Sequence, residues 1–541
     1  MKSMKKVLAL VLTALLALSL FGCSNAGTET PSGSGAAAGG SKTLTIGLNS
    51  EIAAMDPAFA YDNNTNAVVD QITEGLLAFD QKNQLTPCLA ESWKQTDDLT
   101  YVYTIRQGVK FSDGTEMTPD DVVFSMNRVK DSTTGSYLNW MYGNVASIEK
   151  TGDWDVTVKL SQPDALWQYV PATTAGHVMS KAFCEAKGSE VGKPGTGLLG
   201  TGPYVYSDWT QGSEIVLKRN ENYWNAESVN ADAADTLDYK IITEGTTLVS
   251  AMQSGQVDLT MGITVDQLPT IESDKNLSVL TSDSFGVDYI AFNCSKSPMN
   301  DMNVRKAIYY AMDKDKIVNT ICNKTVDPAT SAIFGPAVCT FNEDEWAAYL
   351  KNLPDYKYNM DTAKEYLAKS SVPGGFDCSI ICNQSAVQNS IALMLQAALK
   401  ELNINLSINK VTEDERVSIF NGGNNRDYDM IFCLWFSDFP DPAGNLNSLY
   451  PSTAGGEGGS NAAVYANADV DQLLSQELAS SDPDERTAIM QKILDKVTDE
   501  VPYMIMDYPK VLMITDQRVK DASFAAMYQY SLLFKEFAVK D

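Results

Sequence analysis

Residues 376–436 read FDCSIICNQSAVQNSIALMLQAALKELNINLSINKVTEDERVSIFNGGNNRDYDMIFCLWF and alternate between two periodicities. The segments FDCSIICN (376–383), NLSINKV (405–411) and DMIFCLW (429–435) are short, apolar and rich in β-prone residues, as strands are. Between the first two, residues 390–402 place Ile391, Leu395, Ala398 and Leu402 on one helical face. DERVSIF (414–420) makes a second helix between the last two. This β-α-β-α-β order predicts a sheet with crossover helices, an α/β class. In open α/β sheets ligands bind beyond the carboxyl ends of the strands. That rule puts Asn383 and Gln384, after the first strand, and Ser437, Asp438 and Phe439, after the third, beside one crevice.

The same reading extends outward. Residues 42–49 (KTLTIGLN) alternate apolar and polar side chains and open the body as a strand. Helical spacing follows around residues 67–77. Residues 99–111 (LTYVYTIRQGVKF) alternate strongly and run into Asp113-Gly114, a tight-turn pair. Thr118-Pro119-Asp120-Asp121 then starts a helix, with Thr as the cap, Pro at the first position and acids in the first turn. Residues 154–160 (WDVTVKL) form another strand. At roughly 150 residues per domain, a 541-residue chain predicts about three domains.

The first residues carry Lys2, Lys5 and Lys6, followed by an apolar run from Val7 to Phe21 of 15 residues. A membrane-spanning helix needs roughly 20, so residues 1–22 read as a secretory signal peptide. The run closes on Leu20-Phe21-Gly22-Cys23, which looks like a lipobox with Cys23 as the lipidated residue; Phe21 is bulkier than usual there. Residues 23–42 are dominated by Gly, Ala, Ser and Thr and form a flexible tether, since they bury too little to offset chain entropy. A lipid on Cys23 would hold the body on the extracytoplasmic face of the membrane.

The formal net charge is −28, which argues against nucleic acid as a partner. Apart from Cys23, eight cysteines are scattered through the chain, too sparse for a disulfide scaffold. Cys378 and Cys382 lack a second pair or a nearby His, so they read as small buried hydrophobes rather than zinc ligands. Gly195-Thr196-Gly197-Leu198-Leu199-Gly200 matches a dinucleotide-binding pattern, yet Pro194 and Pro203 flank it where a strand and a helix are required. His177 is the only histidine and no nucleophile elbow accompanies it. The sequence therefore implies no enzyme chemistry, no cofactor and no metal site.

Five further stretches share one pattern. They are Leu89-Ala90-Glu91-Ser92-Trp93 with residues 101–129; Gly200-Thr201-Gly202-Pro203-Tyr204 with Asn222-Tyr223-Trp224; residues 251–258 (AMQSGQVD); Ala291-Phe292-Asn293 with residues 303–308 (NVRKAI); and residues 435–442 (WFSDFPDP). In this order they resemble the peptide/nickel-type extracytoplasmic solute-binding proteins of ABC importers, across almost the whole chain after residue 42. The resemblance implies a two-lobed periplasmic-binding-protein fold of type II with an extra α/β domain. Residues 43–80, 198–288 and 508–541 would form the first lobe, 81–197 the extra domain and 289–507 the second lobe.

The resemblance also implies a mechanism. An oligopeptide would be captured by lobe closure and delivered to an ABC permease and its ATPase subunits, the receptor acting as a monomer. Asp438 matches the acid that pairs with a peptide's α-ammonium in peptide-binding relatives. Trp435, Asn383 and Gln384 are expected to line the site. Residues 383–389 (NQSAVQN) hold no Arg or Lys, unlike some dipeptide-selective relatives, which favours longer peptides. Other solutes (a nickel chelate, a sugar, a dipeptide) and a pheromone-sensing role are the alternatives.

Overall fold

A computed structural model of the protein describes residues 41–322, 325–422 and 426–540. The expected signal peptide, Cys23 and nearly all of the expected tether lie outside the described residues. No described helix is long and apolar enough to cross a membrane.

Three sheets organise the body. The first has seven strands in the spatial order Leu277–Ser282, Val511–Asp516, Leu259–Thr260, Thr43–Leu48, Thr236–Ile241, Glu214–Arg219 and Tyr204–Thr210. Its centre is parallel: Thr43–Leu48 runs alongside both Thr236–Ile241 and Leu259–Thr260. The second has six strands in the order Val326–Pro328, Tyr503–Pro509, Gly286–Phe292, Met430–Phe436, Asp377–Cys382 and Asn405–Lys410. The third is antiparallel, with Ala90–Asp97, Thr100–Ile105, Asp155–Leu160 and Val145–Lys150.

The β-α-β-α-β stretch forms one edge of the second sheet. Asp377–Cys382 lies parallel to both Asn405–Lys410 and Met430–Phe436, so all three carboxyl ends point one way. Two helices make the crossovers, Ala386–Lys400 and Glu413–Phe420. The first starts four residues earlier than its apolar spacing suggests, because Ser385 caps it and accepts from the Gln388 N–H at 3.2 Å. Its buried face is Ile391, Ala392, Leu395 and Leu399; Ala398 is only half-buried, and Leu402 is buried beyond the helix end.

Two other expectations change. The helix expected around residues 67–77 is Asn63–Val69, capped by Asp62, whose carboxylate accepts from the Thr65 N–H at 2.9 Å. Leu77–Phe79 is a short strand paired with Leu85–Pro87. The strand expected over 99–111 stops at Ile105, since Gly108 turns the chain with φ +75°. The helix Pro119–Lys130 starts where expected, and Asp121 accepts from the N–H of Thr118 at 2.9 Å and its hydroxyl at 2.8 Å.

The glycine pattern at 195–200 is loop, and Gly200 passes so close to Ile72 that a Cβ there would sit 2.1 Å from its carbonyl oxygen. His177 is buried, its Nδ1 lies 2.9 Å from the Thr73 hydroxyl, and burial pushes its pKa down to about 3. It is a neutral core residue. The eight described cysteines are all free.

Two short segments connect the first and second sheets. Residues 283–285 link Leu277–Ser282 to Gly286–Phe292, and Lys510 links Tyr503–Pro509 back to Val511–Asp516. They are tied together where the Ser284 hydroxyl donates to the Pro509 carbonyl.

Candidate functional site

The strand Met430–Phe436 is apolar because it is central in its sheet, with Gly286–Phe292 on one side and Asp377–Cys382 on the other. Beyond its carboxyl end, the turn 437–441 is pinned at both ends. The Ser437 hydroxyl donates to the Phe439 carbonyl at 2.9 Å. Asp441 caps the helix Pro442–Leu449, accepts from the Ala443 N–H at 2.9 Å, and pairs with Arg486 at 2.8 Å while 0% exposed. Asp441 is therefore structural, and the turn it fixes carries Asp438.

Asp438 is half-buried and has no cation within ion-pair distance among the described residues. Its protein partner is the Tyr530 hydroxyl, which donates to Oδ1 at 3.3 Å. Burial pushes its pKa up to about 7, against the lowering effect of that hydrogen bond. Its charge raises the pKa of Tyr61, so that phenol stays neutral close by. Tyr530 lies on the short helix Tyr528–Ser531, which packs on Asn63–Val69. Tyr61 and Tyr530 thus reach Asp438 from the side of the first sheet.

Exposed aromatic rings lie on the segments that approach this acid and its turn. Tyr61 is 49% exposed, Tyr137 59% and Trp140 50%. Trp140 meets Phe439 edge-on at 6.2 Å, and Tyr137 meets Phe59 at 5.5 Å. Trp435 is half-buried, 6.3 Å from Phe420, with a buried indole N–H that no described group accepts. Rings with unused edges beside a cation-free carboxylate suit an organic cation with apolar side groups.

A cavity of about 230 Å³ adjoins this region, beyond the carboxyl ends of Thr43–Leu48 and Leu259–Thr260. Leu48, Asn49, Asp62, Asn63, Met261 and Tyr528 are among its walls, and the Asn63 amide donates to the Tyr528 hydroxyl at 2.7 Å. Chain segments 61–64 and 528–530 border both this cavity and Asp438.

Of the four residues expected to bind ligand, Asp438 and Trp435 lie close together at the end of one strand. Asn383 spends its amide on Glu413, at 2.9 Å, and Gln384 is exposed. No described hydrogen bond joins either to Asp438. The sequence reading missed Tyr61, Trp140 and Tyr530. The available signals were the aromatic immediately before the Asp62 cap and the repeated tyrosines of YQY (528–530).

The family model for bacterial extracellular solute-binding proteins, family 5, matches residues 84–457. The chain belongs to this family. It is a solute-binding protein of the ABC-importer type, not an enzyme. The glutathione-binding protein GsiB of Escherichia coli O6:K15:H31 is 26% identical over 477 residues, covering 87% of this chain and 90% of the relative. Among solved structures, DppA of Helicobacter pylori in complex with the peptide STSA superposes with a TM-score of 0.76, at 22% identity, covering 92% of this chain and 98% of the other. AppA of Bacillus subtilis in complex with a nonapeptide gives 0.74 at 24% identity, covering 92% and 99%. These likenesses establish the type II two-lobed α/β fold.

Proposed function

We propose that this family 5 protein captures oligopeptides with a free N-terminus and presents them to an ABC permease. The observation that carries the reading is Asp438: a half-buried carboxylate with one phenol partner, no cation within ion-pair distance among the described residues, and a second phenol, Tyr61, close by. A peptide's α-ammonium loses water when enclosed and needs such a partner. Trp435 stays a candidate wall of the site, and the 230 Å³ cavity has room for a side chain. Asn383 and Gln384 stay candidates for the outer edge of the crevice.

The lobes we assign are 43–80 with 198–288 and 508–541, and 289–507, with 81–197 as the extra domain on the first. Cys23 would carry the lipid that keeps the receptor beside its permease. A relative named for glutathione binding makes a γ-glutamyl tripeptide the main rival cargo, since it too presents a free ammonium.

Mass spectrometry of ligand released by denaturing the purified protein tests the reading. Peptides of mixed sequence longer than two residues are the expected result. Glutathione alone would narrow the cargo to that tripeptide, and a sugar or a metal chelate would overturn the peptide assignment.

A further inference from the structure

The strands that lead away from the two crossing segments, Gly286–Phe292 and Tyr503–Pro509, each carry an acid at facing positions. Asp288 stands opposite Asp507, and the next pair is Tyr289 with Ile505, so the second strand has an extra residue there. Bulges re-aim side chains. Here both carboxyls line one cavity of about 140 Å³. The remaining walls are mostly apolar, with Val326, Ile391, Phe432 and Met506 from the second sheet's side and Val265 and Leu512 from the first's.

Asp507 is 1% exposed, and its Oδ1 has no partner among the described residues. Among the described residues no cation lies within ion-pair distance of either acid, although Lys314 acts on Asp507 through space. Lys510 is itself a wall of the cavity, with its ammonium 3.2 Å from Asp283 and 3.0 Å from Asp327. Arg416 is held by Glu413 at 2.6 Å. Lys314 stands over the Tyr309 ring at 5.0 Å and reaches the Ala329 carbonyl at 3.4 Å. The Cys322 thiol is pushed up to about 12 by burial and by the two acids, so it stays neutral. Burial raises both carboxyls and the facing acid raises Asp507 further, so in the absence of another cation the two keep a proton between them.

We infer that this pocket is a second anchoring point, which takes a primary ammonium or guanidinium on an alkyl stem: the basic side chain of a captured peptide. The inference rests on the peptide reading above. Apolar walls suit the methylenes of such a side chain, and two carboxyls suit its charged end. Two carboxylates among apolar walls are too few oxygens for calcium or magnesium, and no described cluster of three or more His, Cys, Asp or Glu could hold a metal. The position also fits. Asp288 pairs with Leu434 and Gly286 with Phe436, so Asp288 stands two residues short of the strand end that leads into the Asp438 turn.

The test compares tripeptides that carry lysine or norleucine, its neutral isostere, at the second or third residue. Affinities are measured by calorimetry on the full-length protein and on D288N/D507N, with folding checked by circular dichroism. At one position lysine should bind about tenfold or more tighter than norleucine. The ratio should fall to about one in the double variant, or in D507N alone should the double variant not fold. Equal affinities at both positions, or a lysine preference that survives in the variant, would overturn the site. Should no tripeptide bind, the peptide reading fails, and n-butylammonium decides the pocket by itself. A melting temperature raised above that in equimolar sodium, in wild type and not in the variant, keeps an alkylammonium site; equal shifts remove it.

Discussion

Asp438 owes its character to what surrounds it. Ser437 and Asp441 consume their side chains in fixing the turn, and Arg486, on the far side, is already paired with Asp441 and Glu477. The acid between them is left with Tyr530, and burial lifts its pKa to about 7. Only the carboxylate attracts an ammonium, so the sign is set. As pH falls below about 7, protonation of the free protein competes with the ligand, and affinity drops by up to about tenfold per pH unit. Above about 8 the peptide's own α-amino group loses its proton, and affinity drops again. Calorimetric titrations from about pH 5 to 10 should give a bell, with proton release on the acid limb. Asp438→Asn should flatten that limb and weaken free-amine peptides far more than N-acetylated ones; equal losses for both would sink the ammonium anchor. Asp438 was legible because it follows an apolar strand. Tyr530 was not, since it lies 92 residues away and meets Asp438 only through the fold. Asn383 shows the converse: the strand-end rule found its position, and the rule has no way to see that Glu413 occupies its amide.

At the level of elements, period and caps carried most of the information. Three strands and two helices of residues 376–436 were readable because each is short, apolar on a regular spacing, and bounded by polar residues. The early start at Ser385 was hidden because the first helical turn, residues 386–389, contributes nothing to the buried face. The bulge opposite Asp288 was hidden because a strand with one extra residue keeps its composition. The packing of three helices against the site turn was equally invisible. Arg486 on Pro483–Glu500 bridges Glu477 on Ala468–Leu478 and Asp441 at the start of Pro442–Leu449. Asp441 and Glu477 are both 0% exposed, so truncation of the arginine strands two buried acids. Removal of one partner from such a network costs about 3–5 kcal/mol. Arg486→Ala should therefore lower the urea midpoint by an amount equivalent to that loss. It should also weaken peptide binding, since the turn that presents Asp438 loses its fixed end. An unchanged midpoint would show that the two acids reach water or each other's proton instead.

For the whole molecule the question is what holds the lobes together. Rings cross the crevice, with Trp140 and Tyr169 on Phe439, and so do polar ties, among them the Tyr530 hydroxyl on Asp438. The Tyr169 hydroxyl donates to Asp441 at 3.4 Å, the Ala165 N–H to the Leu478 carbonyl at 2.9 Å, and the Gln84 amide to the Thr340 carbonyl at 3.2 Å. Interfaces of this kind inside a chain permit relative motion. The two crossing segments are short and tied to each other by Ser284 and Pro509, which lets them turn as one hinge. A ligand shifts such an equilibrium only by its difference in affinity for the two states. Asp438 lies on the second sheet's side, and Tyr61 and Tyr530 on the first's, so a peptide gripped by all three gains its full contacts only when the lobes meet. To move the population from about 1% closed to about 99% closed, that difference must be on the order of 10⁴-fold. Small-angle scattering should then show the peptide-free protein with a larger radius of gyration than the complex. Asp438→Asn should stay expanded at peptide concentrations that close the wild type. Identical profiles with and without saturating peptide would mean that the lobes stay closed without cargo, and the ligand would then have to enter by local opening at the aromatic rim.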